Sequence, residues 1–165
     1  MEITGEKLIE MFYTSMTDDK IVEIIDELGL EQPVVDEEYE LYKSVSTNDT
    51  NGIGIDFTFS ELEACKEDGI PCMDIISWDD DKNVKPPFGL AIDLSYDECC
   101  QVLHKNADYL NQRIKKLKIW LITYNNTKYK IAIMFKDMDF MQIRSIVITP
   151  YTKASIKDSY IQNKD

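Results

Sequence analysis

The sequence is poor in the residues that most often carry catalysis or hold a metal. It contains one histidine, His104, and four cysteines, none of which forms a C-x-x-C pair: Cys65, Cys72, Cys99 and Cys100. A Cys/His zinc site of the usual spacing cannot be assembled from this set. We therefore expect no zinc and four reduced thiols, most of them packed as small apolar side chains.

Long apolar runs are also absent. No stretch approaches the roughly 20 consecutive apolar residues that a membrane-spanning helix needs. The first residues, MEITGEKLIEMFY, lack the basic start and apolar stretch of a signal peptide. These absences predict no membrane association and a cytoplasmic location. The length of 165 residues, with 44% hydrophobic and 30% charged residues, fits one globular domain.

Catalytic and ligand-binding motifs are missing as well. The run Asp79-Asp80-Asp81 lacks the alternating ligands, the turn glycine and the final glutamate of a calcium loop. His104 lies one helical turn from Cys99 and Cys100, but no nucleophile motif surrounds it. We expect no catalytic residue, no metal, no cofactor and no enzymatic activity. A small cysteine-dependent enzyme is the alternative, and it requires a thiol with a depressed pKa beside an open pocket.

Basic residues are scarce in the first 100 positions. The whole chain has 18 basic and 31 acidic residues, a net charge of −13. Residues 1–100 hold 26 acids and 6 bases, whereas residues 101–165 hold 5 acids and 12 bases. An acidic surface of this strength repels phosphates and attracts basic proteins, so it predicts no nucleic-acid binding and a basic protein partner. A solvated surface without a partner explains the same composition.

The most regular stretch, residues 117–149, predicts three consecutive strands. Residues 117–124 (LKIWLITY) are rich in β-branched and aromatic residues, and residues 128–135 (KYKIAIMF) alternate between apolar and mixed positions. A turn composition, Asn-Asn-Thr, separates them. Residues 143–149 (IRSIVIT) supply the third strand. Short connections force neighbouring strands to run antiparallel, so this stretch predicts an antiparallel meander.

The remaining segments predict the elements that extend or cover this meander. Two N-terminal helices are expected, over residues 4–15 and then from a cap at Thr17 to Gly29. Further strands are expected over residues 39–45, 52–59 and 72–78, and the capping box Ser95-x-x-Glu98 opens a third helix. The fold class is α+β: a largely antiparallel sheet with two N-terminal helices and one inserted helix. Residues 1–150 form one domain, and residues 151–165 form a polar tail, frayed or marginally helical.

The order of elements from Gly52 to Thr149 resembles that of small bacterial immunity proteins. A G-I-x-I-x-F strand begins at Gly52, a second strand ends in the acidic loop at Asp81, and Pro87-Phe88-Gly89-Leu90 precedes the capped helix. A W-x-x-x-Y strand from Trp120, the K-Y-K-I-A-I-x-F strand and an I-x-x-I-x-I strand follow. The family pattern has a glycine soon after the helix, where this sequence has His104-Lys105-Asn106.

The resemblance implies a cytosolic inhibitor of a polymorphic or contact-dependent growth-inhibition toxin. Such a protein binds the toxin's C-terminal domain, often a basic nuclease, and covers its active site or an adjacent surface. We accordingly expect the acidic residues and one neighbouring tryptophan to contact the partner: Asp36, Glu37, Glu38, Trp78, Asp79, Asp80 and Asp81. Pairing through an exposed edge strand, with the toxin or in a homodimer, is a second possible geometry. An acidic protein–protein adaptor is the other alternative.

Overall fold

The computed structural model describes residues 2–33, 44–47, 51–58 and 70–164. These residues form three α-helices: α1 (Gly5–Ile9), α2 (Asp19–Glu27) and α3 (Tyr96–Leu103). They also form eight strands: β1 (Ser44–Ser46), β2 (Ile53–Thr58), β3 (Cys72–Trp78), β4 (Tyr109–Asn111), β5 (Leu117–Tyr124), β6 (Thr127–Phe135), β7 (Ile143–Pro150) and β8 (Tyr160–Gln162). The predicted α+β class with an antiparallel sheet is confirmed. No helix within these ranges is long and apolar enough to cross a membrane.

The strands form one sheet in the order β1-β2-β3-β7-β6-β5-β4-β8, and every paired neighbour is antiparallel. The predicted meander is its central part, since β5, β6 and β7 are joined in sequence order. Asn125 and Asn126 connect β5 to β6 with φ angles of 50° and 64°. Two positive φ angles are typical of the tight hairpin turn that asparagine tolerates, so β6 begins at Thr127, one residue earlier than predicted.

A short ladder between β3 and β7 joins the two halves of the sheet, and we call it the seam. It consists of three residue pairs, which are Ile76 with Ile148, Ser77 with Val147, and Trp78 with Ile146. The four large apolar members of these pairs are completely buried. Strands distant in sequence thus share one continuous core.

The helices cover one face of the sheet. Ile21 and Ile25 on α2 and Leu28 at its C-cap are buried, and they join one apolar cluster with the inward residues of the strands. After α1, the ring of Phe12 lies 6.0 Å from that of Tyr129 on β6. From α3, the ring of Tyr96 lies 5.6 Å from that of Trp120 on β5. Burial of this face supplies the apolar area that stabilises the domain.

The first helix is shorter than predicted. Thr4 caps it as expected, accepting a hydrogen bond from the backbone of Lys7, but α1 ends at Ile9. The following backbone pairs with β3 instead of continuing the helix: the amide of Tyr13 donates to the carbonyl of Met73, and the amide of Met73 donates to the carbonyl of Thr14. The cap of α2 is Asp18 rather than Thr17.

The polar tail is part of the sheet, which corrects the prediction of a frayed end. Residues Lys153–Ser155 form a single 3-10 turn, and β8 pairs with β4, a short strand that the sequence did not predict. The ammonium of Lys130, only 8% exposed on β6, donates to the carbonyl of Ser155 at 2.8 Å. Its pKa is lowered by burial and by the charge of Lys157. The tail therefore covers part of the face opposite the helices.

Helix α3 has the predicted capping box and an unusual end. The backbone of Glu98 donates to the hydroxyl of Ser95, and the carboxylate of Glu98 accepts from the backbone of Ser95. The helix ends at His104, whose φ of 62° and ψ of 22° are left-handed. This is the conformation that glycine adopts at helix ends without steric cost. His104 therefore takes a backbone conformation that favours glycine.

Substitution of His104 by glycine should therefore stabilise the protein. We expect His104→Gly to raise the free energy of unfolding by about 0.5 to 1 kcal/mol. The left-handed conformation costs a residue with a Cβ atom about 1 to 2 kcal/mol, and the greater flexibility of glycine in the unfolded chain offsets part of that gain. Urea denaturation followed by circular dichroism measures the change. The control is Gln101→Gly at an exposed interior position of α3, which should lower stability by about 1 kcal/mol. Destabilisation by His104→Gly would contradict the interpretation.

Candidate functional site

Four of the residues that the sequence grouped as a partner-binding site are described by the structure: Trp78, Asp79, Asp80 and Asp81. Asp36, Glu37 and Glu38 lie outside the described residues. Trp78 is 0% exposed, so its assignment as a partner contact is wrong. The alternation of β3 places Trp78 on the same face as Ile76, beneath the helices and opposite Ile146. Trp78 is a core residue of the seam.

The three aspartates after β3 have different roles. Asp80 accepts a hydrogen bond from the backbone of Lys82 at 2.7 Å and lies 3.9 Å from the ammonium of that residue. Asp81 accepts from the backbone of Ile92 at 3.0 Å. Both carboxylates therefore stabilise the loop. Asp79 is exposed, and its carboxylate has no partner among the described residues, so it is the member best placed for an outside contact.

A larger group of exposed carboxylates lies on α2. Asp19, Glu23, Asp26 and Glu27 recur at positions i, i+4, i+7 and i+8, which places them on one side of the helix. All four are exposed, and none forms a salt bridge with another described residue. Val22 lies among them and is 40% exposed. We call these five residues the acidic helix face.

The acidic helix face continues towards the loop after β3. At the end of α2, Glu27 and Glu2 line a depression of about 520 Å³ together with Asn51 and Asn83. The side-chain amide of Asn51 donates to the carbonyl of Leu28 at 2.7 Å, and that of Asn83 donates to the carbonyl of Asn51 at 3.1 Å. These two amides hold α2, β2 and the loop together.

An adjoining depression extends the surface further. It has a volume of about 560 Å³ and is lined by Glu2, Glu6 and Asp81, together with the cations Lys82 and Lys85. The carboxylate of Glu6 accepts a hydrogen bond from the backbone of Phe88 at 3.0 Å, so it is partly used by the fold. Among the described residues, α2 therefore carries the largest group of exposed carboxylates without a salt bridge. The acidic helix face was not predicted, although the sequence contains its signal: it is the reverse side of the apolar stripe of α2.

The exposed carboxylates are better arranged to attract a charged partner than to coordinate a metal ion. Within the described ranges, no group of three His, Cys, Asp or Glu residues could hold a metal ion. Separate, solvated carboxylates attract a positively charged surface from a distance and contact it through water or basic side chains.

The cysteines differ from expectation. Cys72 is in a disulfide whose partner lies outside the described residues, so the prediction of four reduced thiols is wrong at Cys72. Cys99 and Cys100 are free thiols. Burial raises the pKa of Cys99 to about 12 and also raises the pKa of Cys100. A cysteine-dependent enzyme needs the opposite shift, so neither thiol has the property that this alternative requires.

One titratable group is strongly perturbed by burial. Asp74 lies on β3 where the β2–β3 register shifts after Asp56. One of its carboxylate oxygens accepts a hydrogen bond from the hydroxyl of Thr58, and the other is buried without a hydrogen-bond partner among the described residues. Burial raises the pKa of Asp74 to about 6; the hydrogen bond from Thr58 lowers it and the charge of Asp56 raises it.

Comparison of the chain with protein-family models, with curated proteins and with solved structures found no match.

The raised pKa of Asp74 predicts a pH-dependent stability. The native state keeps this proton up to about pH 6, whereas the unfolded state releases it near pH 3.8. The free energy of unfolding should therefore fall as the pH rises between these values. Asp74→Asn should match the parent at pH 3.5 and be more stable at pH 7, by about 1 to 2 kcal/mol after allowance for solvent screening.

Urea denaturation at a series of pH values measures this difference. The control is Asp79→Asn, which removes one charge from an exposed side chain and should change stability by less than about 0.5 kcal/mol. A difference between Asp74→Asn and the parent that does not vary with pH would refute the role of the proton.

Proposed function

We propose that this chain is a stoichiometric inhibitor of the immunity-protein class, which binds a basic toxin domain through its acidic surface. The protein would act in the cytoplasm, without a catalytic residue or cofactor and without binding nucleic acid or a membrane. Reducing conditions in the cytoplasm would open the Cys72 disulfide. The partner is the C-terminal domain of a cognate toxin, and a nuclease is the class whose charge is most complementary.

The acidic helix face is the observation that carries the proposal. Its four carboxylates are exposed, and described cations do not neutralise them through salt bridges. A nuclease domain presents lysine and arginine side chains to phosphates. Carboxylates at similar spacing compete for the same basic side chains, so such a surface excludes nucleic acid without reacting with it.

Helix geometry supports this role in a second way. The apolar side of α2 is anchored in the core through Ile21, Ile25 and Leu28, so the carboxylates project from a fixed element. A pre-organised surface loses less conformational entropy on binding than a disordered one. The exposed Val22 offers an apolar contact at the centre of the charged face.

An acidic adaptor for another basic protein would use the same surface, and the encoded neighbour distinguishes the two functions. We expect the C-terminal domain of the protein encoded immediately upstream to kill cells when expressed alone. Co-expression of this chain should restore growth, and the two should purify as a one-to-one complex. An upstream domain that is harmless, or one that forms no complex with this chain, would refute the immunity function.

The acidic helix face should control association with that domain. We expect Glu23→Gln/Glu27→Gln to slow association by about tenfold at low salt and to reduce its dependence on ionic strength, because long-range attraction is lost. Stopped-flow or surface-plasmon kinetics at several salt concentrations measure both quantities. Asp137→Asn/Asp158→Asn is the matched control, since it also removes two exposed charges but lies elsewhere. Equal effects of the two double variants would assign the attraction to net charge alone.

A further inference from the structure

A second surface, opposite in charge, lies at one end of the sheet. Residues 112–116 connect β4 to β5, and residues 136–142 connect β6 to β7. The two connections are adjacent, because the backbone of Phe135 donates to the carbonyl of Lys116 at 3.0 Å. The ammonium of Lys118 lies 4.5 Å from the ring centre of Phe140. Sequence-distant basic residues therefore meet at this end.

Five exposed cations surround the two connections: Arg113, Lys115, Lys116, Lys136 and Arg144. None forms a salt bridge with another described residue. The same connections contain two acidic residues, Asp137 and Asp139. A chain with a net charge of −13 thus concentrates unpaired positive charge in one place. We call the surface formed by the five cations and the apolar residues between them the basic rim.

Exposed apolar side chains lie among these cations. Ile114 is 46% exposed, Met138 is 52% exposed and Met141 is 58% exposed. They are three of the five large apolar side chains that the described part of the chain exposes. Apolar groups gathered in one charged area mark a contact surface more strongly than the same groups scattered singly. Methionine adapts its shape to a partner more readily than branched residues.

The backbone of the basic rim is held in place. The side chain of Asn111, which is buried, accepts hydrogen bonds from the backbones of Arg113 and Ile114 at 2.9 and 2.7 Å. In the other connection, the backbone of Lys136 donates to the carbonyl of Gln142 at 2.8 Å. The carbonyl of Phe140 accepts from the backbone of Tyr96 at the start of α3. The apolar side chains are therefore presented by ordered backbone.

We propose that the basic rim docks an acidic protein segment that carries apolar side chains. Its carboxylates would pair with the cations, and its apolar residues would cover Ile114, Met138 and Met141. A protein fits better than an anionic membrane, because Asp137 and Asp139 flank Met138 and would approach anionic headgroups. It also fits better than nucleic acid, whose phosphates give the two methionines no apolar contact. The inference is independent of the proposed function, since it uses a different surface of opposite sign.

The test uses a fluorescently labelled amphipathic peptide built from glutamate and leucine, titrated with the full chain and followed by anisotropy. We expect saturable binding that Lys115→Glu/Lys136→Glu weakens by at least about tenfold. Met138→Ser/Met141→Ser should weaken it by a similar factor while leaving the salt dependence unchanged. A peptide with serine in place of leucine, and another with lysine in place of glutamate, should bind much more weakly.

The matched control is Lys128→Glu/Lys153→Glu, which makes the same charge change at exposed positions at the opposite end of β6 and β7. It should leave binding within about twofold of the parent. Circular dichroism and thermal unfolding verify that each variant is folded. The inference is overturned if the glutamate–leucine peptide does not bind, or if the control weakens binding as much as the rim variants. It is also overturned if phosphatidylserine vesicles or duplex DNA bind the rim more tightly than the peptide.

Discussion

The seam between β3 and β7 is the contact on which the rest of the domain depends. Three residue pairs connect strands that lie about 70 positions apart in the sequence, and their four largest apolar members, Ile76, Trp78, Ile146 and Ile148, are fully buried. Through them, the helices at the N-terminus and the meander near the C-terminus share one core. Truncation of one such buried side chain typically costs about 2 to 5 kcal/mol, a large fraction of the stability of a small domain.

The seam also joins two halves of different charge. Among the described residues, acids outnumber bases in the first 100 positions, which contain β1, β2 and β3, whereas bases outnumber acids in the last 65, which contain β4 to β8. The sheet therefore has a charge gradient along its width. Docking to a basic domain through the acidic helix face and docking to an acidic segment through the basic rim would use separate parts of one rigid scaffold.

Local patterns predicted most of the sheet, and long-range contacts account for the misses. The alternation in residues 128–135 was sufficient to predict β6 and its buried face. The four residues of that face all lie buried on the helix-covered side: Tyr129, Ile131, Ile133 and Phe135. The capping box at Ser95 likewise predicted the start of α3. The three-residue strands β4 and β8 are too short to show a period, and their formation depends on mutual pairing.

The candidate site was less predictable than the fold. The exposure of Trp78 could not be read from its place beside three aspartates, since its burial depends on Ile146, far along the chain. The sequence around Asp80 and Asp81 does not indicate that their carboxylates accept backbone hydrogen bonds. The acidic helix face, by contrast, follows from the helical period alone once the apolar stripe of α2 is recognised.

The two tryptophans lie on different sides of the seam, with Trp78 on β3 and Trp120 on β5. Both are 0% exposed, and the indole of Trp120 donates to the carbonyl of Lys105 at 3.0 Å. Each half of the sheet therefore contains its own intrinsic fluorophore in a dry environment. Fluorescence emission from variants that retain only one of the two tryptophans would show whether the halves of the sheet unfold together or one after the other. The result would tell whether the three residue pairs of the seam suffice to make the domain a single cooperative unit.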